Sequence, residues 1–264
     1  MADATAEAPM RTGWVPVPKH ASNRADRSPR VAPVRLGPLL AVCGLAGGAG
    51  VTTLSYLIAQ AAVRQSSDPV LIADTGGPSG GLAACAGLEV ERSLSELAQQ
   101  LAAGVPLGGG IYATGRDGLR VLASGPEFYS HPADDQVRGL LAHAREAHGL
   151  TVIDCGTLTR PAEQTAATAA THLAWVLTAS AHGVRRGLRV LDAAPPMAGK
   201  QLIVARNDVR QASAPLRQLR RIAAERRALL VLVPHLPGLD AGRLDACAET
   251  AQIPVLAILG ALRR

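Results

Sequence analysis

The sequence predicts an α/β fold, doubly wound, with a mostly parallel sheet of about seven to eight strands flanked by helices. Three observations carry this. From Leu39 onward, short apolar runs alternate with longer amphipathic or Ala-rich stretches, the pattern of repeated βαβ units. The runs are built from Val, Leu, Ile and Ala, with aromatics at only 2% of the residues, which suits strands buried on both faces and disfavours a β-sandwich. A length of 264 residues fits a single large doubly wound domain with a sizeable core.

In chain order, residues 1–36 are rich in Pro, Ala, Asp and Arg without periodicity and are expected to be a disordered, mildly basic arm, with Trp14 incidental in it. The folded domain is expected over 37–264. Its strands are predicted at Leu39–Cys43, Val70–Asp74, Leu119–Ala123, Thr151–Asp154, Leu173–Leu177, Leu202–Ala205, Leu229–Val233 and Val255–Ile258, each a short apolar run. Helices are predicted between them at Thr52–Arg64, Ser93–Ala103, Asp134–His148, Pro161–Ala170, His182–Ala193, Pro215–Arg227 and Ala241–Thr250. The second of these opens with Ser93 and has Glu96 three residues later, a capping box, and Gly104 stops it. The C-terminal "IPVLAILGALRR" is taken as a strand and a short basic stub, without a long amphipathic helix for membrane binding.

Composition excludes several classes. The net charge of +6 comes from 25 arginines and only two lysines, Lys19 and Lys200, so basicity alone is weak evidence for nucleic acid. Cys43, Cys85, Cys155 and Cys247 show no C-x-x-C spacing, which argues for reduced, mostly buried thiols rather than a zinc ribbon or a disulfide framework. The seven histidines show no metal-binding spacing. No apolar run reaches the roughly 18 residues of a membrane span, and the N-terminus lacks signal-peptide order, so a cytoplasmic location is expected, with any membrane or polar placement through a partner.

The informative stretch is "GLAGGAGVTT", Gly44–Thr53, directly after the first strand and before a helix. A glycine-rich turn there gathers several backbone N–H groups at the positive end of the helix dipole, an anion nest. Gly47, Gly48 and Gly50 permit the backbone angles such a nest needs. Its binding residues are therefore expected to be Gly47, Gly48, Ala49, Gly50, Val51, Thr52 and Thr53.

Ala46-Gly-Gly-Ala-Gly-Val-Thr-Thr53 resembles the loop of the MinD/ParA superfamily of deviant Walker A ATPases, a SIMIBI P-loop fold, whose loop reads K-G-G-x-G-K-T-T. The glycines and threonines match; the two lysine positions are Ala46 and Val51. "VLIADTGGPSGGLAACAGL" resembles the family segment with two acidic positions, matched by Asp74 and by Gly76. "LTVIDCGTL" resembles its Walker B segment and places Asp154 beside the loop. The resemblance implies a homodimer formed through the loop face, and a Mg²⁺ site made by Thr52, Asp74 and Asp154, with Asn207 and Asp208 at a base-side turn. Within the family, "GAGVTTLSYLIA", "GGLAACAGLE" and "DGLRVLASGP" resemble the CpaE/TadZ and septum-site-determining branch.

Chemistry sets what the substitutions imply. Phosphoryl transfer asks a protein for positioning and for cations on the transferred group, and the loop lysine is a principal supplier. Its absence removes about 1.5–3 kcal/mol of nucleotide affinity. Gly76 also lacks the carboxylate that, in the family the segment resembles, is implicated in activating water. The expectation is a pseudo-ATPase with no catalytic residue, binding ATP or ADP with Mg²⁺ weakly at best, and serving as a positioning or scaffold subunit for a secretion, pilus or septation machine. Its rival is a functional ATPase of the same family whose cation comes from elsewhere. A Rossmann-type dinucleotide binder is another alternative, with Asp74 as the ribose acid, though the spacing is not G-x-G-x-x-G. Gly77-Pro-Ser-Gly-Gly81 satisfies G-x-S-x-G literally, but Pro78 and the excess of glycine argue against a nucleophile elbow. The Arg-rich helix Leu216–Arg227 suits non-specific DNA, an acidic partner or a solvated face.

Overall fold

The computed structural model describes residues 36–75, 81–89, 92–107, 112–124, 132–194, 197–207, 213–239 and 242–263. The chain divides into units 1–34 and 35–264, and the second is described below. Nearly all of the expected arm, together with Gly76, Gly77–Gly80 and Asp208, lies outside the described residues.

The strands are β1 (Leu39–Gly44), β2 (Val70–Asp74), β3 (Ala113–Thr114), β4 (Arg120–Leu122), β5 (Leu150–Asp154), β6 (His172–Thr178), β7 (Lys200–Asn207) and β8 (Leu229–Pro234). The helices are α1 (Val51–Gln65), α2 (Gly81–Ala86), α3 (Leu94–Ala102), α4 (Asp134–Ala147), α5 (Pro161–Ala169), α6 (Ala181–Ala193), α7 (Ser213–Glu225), α8 (Leu244–Thr250) and α9 (Gln252–Leu262). The sheet order is β3-β4-β2-β5-β1-β6-β7-β8, parallel except for the β3–β4 pair.

Alternation along the strands builds two cores. Leu39, Ala41 and Cys43 of β1 face α3–α7, while Leu40 and Val42 face α1, α2, α8 and α9. Strands buried on both faces in this way need the continuous aliphatic runs that the sequence carries.

The capping box of α3 is formed: Glu96 N donates to Ser93 Oγ at 3.2 Å, and Ser93 N donates to Glu96 Oε2 at 2.9 Å. Two expectations need correction. Val255–Ile258 is not a strand but lies within α9, whose buried residues Pro254, Val255, Ile258, Leu259 and Leu262 recur at helical spacing against α1 and β8. An unbroken apolar run does not distinguish strand from helix, and here its eleven-residue length decides for the helix. Pro254 fits in the first turn, where no intrahelical N–H partner is lost. The eighth strand is instead β3, which the sequence reading missed. It joins β4 by a tight turn in which Asp117 and Gly118 both take positive φ, 58° and 82°. That is the Asp-Gly signature of a hairpin.

The sheet order also removes the Rossmann alternative. β5 lies between β1 and β2, whereas a dinucleotide fold sets its first two strands side by side, with the second carrying the ribose acid beside the loop.

Candidate functional site

β1 is central, and its neighbours β5 and β6 lie on either side, so the chain leaving Gly44 emerges at a switch point of the sheet, where open α/β folds bind ligands. Two hydrogen bonds fix the departure: Gly44 N donates to Gly156 O at 2.7 Å and Leu45 N to Val176 O at 2.9 Å. The loop turns on Ala49 N donating to Ala46 O at 3.3 Å and enters α1 through Gly50, whose φ of 87° is left-handed. No side chain caps α1, so its first amides remain directed at the loop. Gly47 and Gly48 are exposed, Ala49 is buried, and Val51, Thr52 and Thr53 form the first turn of α1.

Val51 is 8% exposed and belongs to the core on the α1 side of the sheet. Its Cγ2 lies 2.8 Å from where a Cβ on Gly44 would stand, so the isopropyl group rests on the backbone at the end of β1. This contact also explains Gly44, since any side chain there would collide with Val51 and with Gly156 O at 3.0 Å.

The carboxylates expected at the site stand together at the strand ends. Asp74 and Asp154 are in register on β2 and β5, and are 4% and 2% exposed. Asp154 accepts hydrogen bonds from the Thr52 side chain and from Gly156 N, the latter at 3.0 Å. Burial nonetheless pushes its pKa up, with those two donations working against the shift. Asp74 accepts from Ser124 Oγ at 3.0 Å. Thr75 ties the two strands further, since its N and Oγ1 both donate to Asp154 O, at 3.0 and 2.8 Å.

Thr52, Asp154 and Asp74 thus offer one hydroxyl and two carboxylates, hard oxygen donors of the kind Mg²⁺ takes while keeping several waters. Among the described residues no group of three or more His, Cys, Asp or Glu side chains is placed to hold a metal ion. The arrangement fits a water-mediated Mg²⁺ site completed by a bound anion better than a protein cage. Thr52 and Asp154 would hold the ion, with Asp74 in its outer surroundings.

Two features of the site went unread in the sequence, Ser124 and Arg206. Ser124 carried no motif signal. Cys43 near the end of β1 and Cys155 just after β5 are fully buried, as expected of the cysteines, and burial together with the Cys43 side chain pushes the Cys155 thiol well up. Arg206, at the end of β7, reaches the loop: its Nη1 is 3.5 Å from Gly48 O. A basic residue at the C-terminal end of a parallel strand was the signal available, one position before the flagged Asn207.

A parallel sheet whose central strand feeds a glycine nest and a helix N-terminus, beside a strand-end carboxylate, has the architecture of a P-loop ATPase. The comparisons give that architecture its type. No protein-family model and no curated protein matches the chain. Among solved structures, a ParA family ATPase from Chlorobium tepidum is similar at a TM-score of 0.67 and 15% identity, over 83% of this chain and 92% of that one. The cell division protein MinD of Aquifex aeolicus gives 0.65 and 14%, over 85% and 98%. Cobyrinic acid a,c-diamide synthase from Mycobacterium smegmatis, solved with an ATP analog and magnesium, gives 0.59 and 21%, over 82% and 93%. The fold is therefore that of the ParA/MinD ATPases.

Proposed function

We propose that this chain is a degenerate ParA/MinD-like protein of the CpaE/TadZ and septum-site-determining type. It serves as a cytoplasmic positioning or scaffold subunit for a secretion, pilus or septation machine and does not turn over ATP at an appreciable rate. The observation that carries the reading is the state of Val51. An aliphatic side chain buried on Gly44 stands where a cation would have to reach into the nest. No lysine of the described unit replaces it: Lys200, the only one, begins β7 in register with His172, at the opposite end of the sheet from the loop. Without the loop lysine, the amides and Mg²⁺ support weak ATP or ADP binding and little hydrolysis.

Thr52 and Asp154 keep the metal side of the site, and a homodimer meets across the loop face. The rival reading is an active ATPase of the same family whose cation comes from elsewhere. Steady-state phosphate release by the purified protein with ATP and Mg²⁺ separates the two: the proposal expects release at the protein-free background, and sustained release overturns it.

Contact with non-specific DNA is a second reading, favoured by the surface of α6 and α7. Arg185, Arg186 and Arg189 of α6 and Arg217, Arg220 and Arg221 of α7 are all exposed, on two helices that pack side by side. The acidic groups among them are few, Asp192 and Glu225, and the latter pairs with Arg221 at 3.5 Å.

A further inference from the structure

β7 carries Arg206 in register with Thr178 of β6 and Val233 of β8, at the end of the sheet from which the loop emerges. From there the side chain lies across the loop. A Cβ on Gly50 would stand 3.6 Å from both Cδ and Nη1 of Arg206 and 4.0 Å from Cζ, which is van der Waals contact with one flank of the side chain's head. The 3.5 Å separation from Gly48 O is long for a hydrogen bond, so packing over Gly50 defines the position more than the bond does. Among the described residues no carboxylate lies within ion-pair distance of this guanidinium. Its placement is therefore not explained by a salt bridge.

Beside the loop, Arg206 closes a slot whose other walls are Val176, Val204, Val233, Leu236 and Leu239. A phosphate held by the loop amides would leave the rest of its molecule to pass along a flank of the loop, and this slot opens there. Apolar walls next to an anion nest are what a flat aromatic base attached to phosphates requires. Yet the free volume is only about 20 Å³. That is room for about one water molecule, against roughly 300 Å³ or more for a small-molecule pocket. A guanidinium is flat, delocalised and weakly hydrated, so it can lie beside the loop in the space a base would need.

We propose that Arg206 is the resident occupant of the nucleobase slot: its guanidinium takes the place of a purine beside Gly50, so that the loop discriminates against nucleotides. This rests on the reading of the loop as a nucleotide cradle, but not on its lack of turnover. The partly exposed side chain can be truncated without opening the core.

The test uses the full chain, with Arg206→Ala and Arg206→Gln. Binding of mant-ADP with Mg²⁺ is followed by fluorescence anisotropy, binding of pyrophosphate by calorimetry, and phosphate release from ATP is measured on the same samples. The expected result is mant-ADP binding at least tenfold tighter in Arg206→Ala, a smaller gain in Arg206→Gln, and pyrophosphate binding unchanged or weakened, because only the base gains space. Equal or weaker mant-ADP binding in both variants overturns the proposal, as does an equal gain for pyrophosphate. Phosphate release by the wild type would instead overturn the reading of the loop as non-hydrolysing, whatever the order of affinities.

Discussion

At the scale of single residues, His148 shows how much protonation the fold can sense. It is buried, its Nε2 lies 3.1 Å from Arg120 Nη1, and its Nδ1 lies 2.8 Å from Ala144 O. Arginine only donates, so Nε2 accepts and Nδ1 carries the proton, which fixes the ring as neutral. Burial lowers its pKa, as it does for His172, whose neighbour Lys200 adds to the shift. A histidine with a lowered native pKa contributes stability that is present above the unfolded value of about 6.5 and lost as pH falls through the native value. Urea midpoints of the wild type should therefore decline between pH 7 and pH 5, and His148→Gln should flatten part of that decline. An unchanged slope in the variant would show that His148 takes no proton in this range. Val51 and Asp154 were legible as residues before the fold was known, because each sits at a fixed distance from a strand end. What Val51 touches was not legible, since Gly44 and Val51 are seven positions apart and meet only once the loop closes.

At the scale of elements, α3 was legible to its cap, because a capping box is a local device that needs no tertiary partner. Ser93→Ala removes one of its two bonds and leaves the first-turn amide of Glu96 unsatisfied. The variant should lose about 1 kcal/mol, read as a lower urea midpoint with an unchanged slope. A loss within experimental error would mean that the packing of Leu94 and Leu97 alone holds the helix. The C-terminal run failed as a prediction for the opposite reason. Its residues are apolar all round, and only packing of Val255, Ile258 and Leu259 against α1 and β8 selects a helix. The β3–β4 hairpin did carry a local signal, Asp117-Gly118, but a two-residue strand is too short to show any alternation.

At the scale of the whole molecule, the sheet order explains why the site was partly legible. The neighbouring strands β2, β5 and β1 end side by side at the C-terminal end of the sheet, so residues immediately after those runs had to lie near each other. Arg206 comes from the far side of β1, two strands away, and its reach over Gly50 depends on how β6 and β7 stack beside it. The arginines of α6 and α7 carry a prediction at this scale. Retention of duplex DNA should fall steeply with salt, and Arg220→Ala with Arg221→Ala should reduce the log–log salt slope by roughly one to two, at about 0.9 per phosphate contact. A salt-independent or unchanged retention would assign that face to a solvated surface. The proposed function turns on a loop in which Val51 stands at the lysine position. Its most direct test is a single-turnover experiment with γ-labelled ATP, Mg²⁺ and the full chain in excess. The account predicts no release of labelled phosphate beyond the protein-free control. Release at the rate of a ParA or MinD enzyme that has its loop lysine would contradict it.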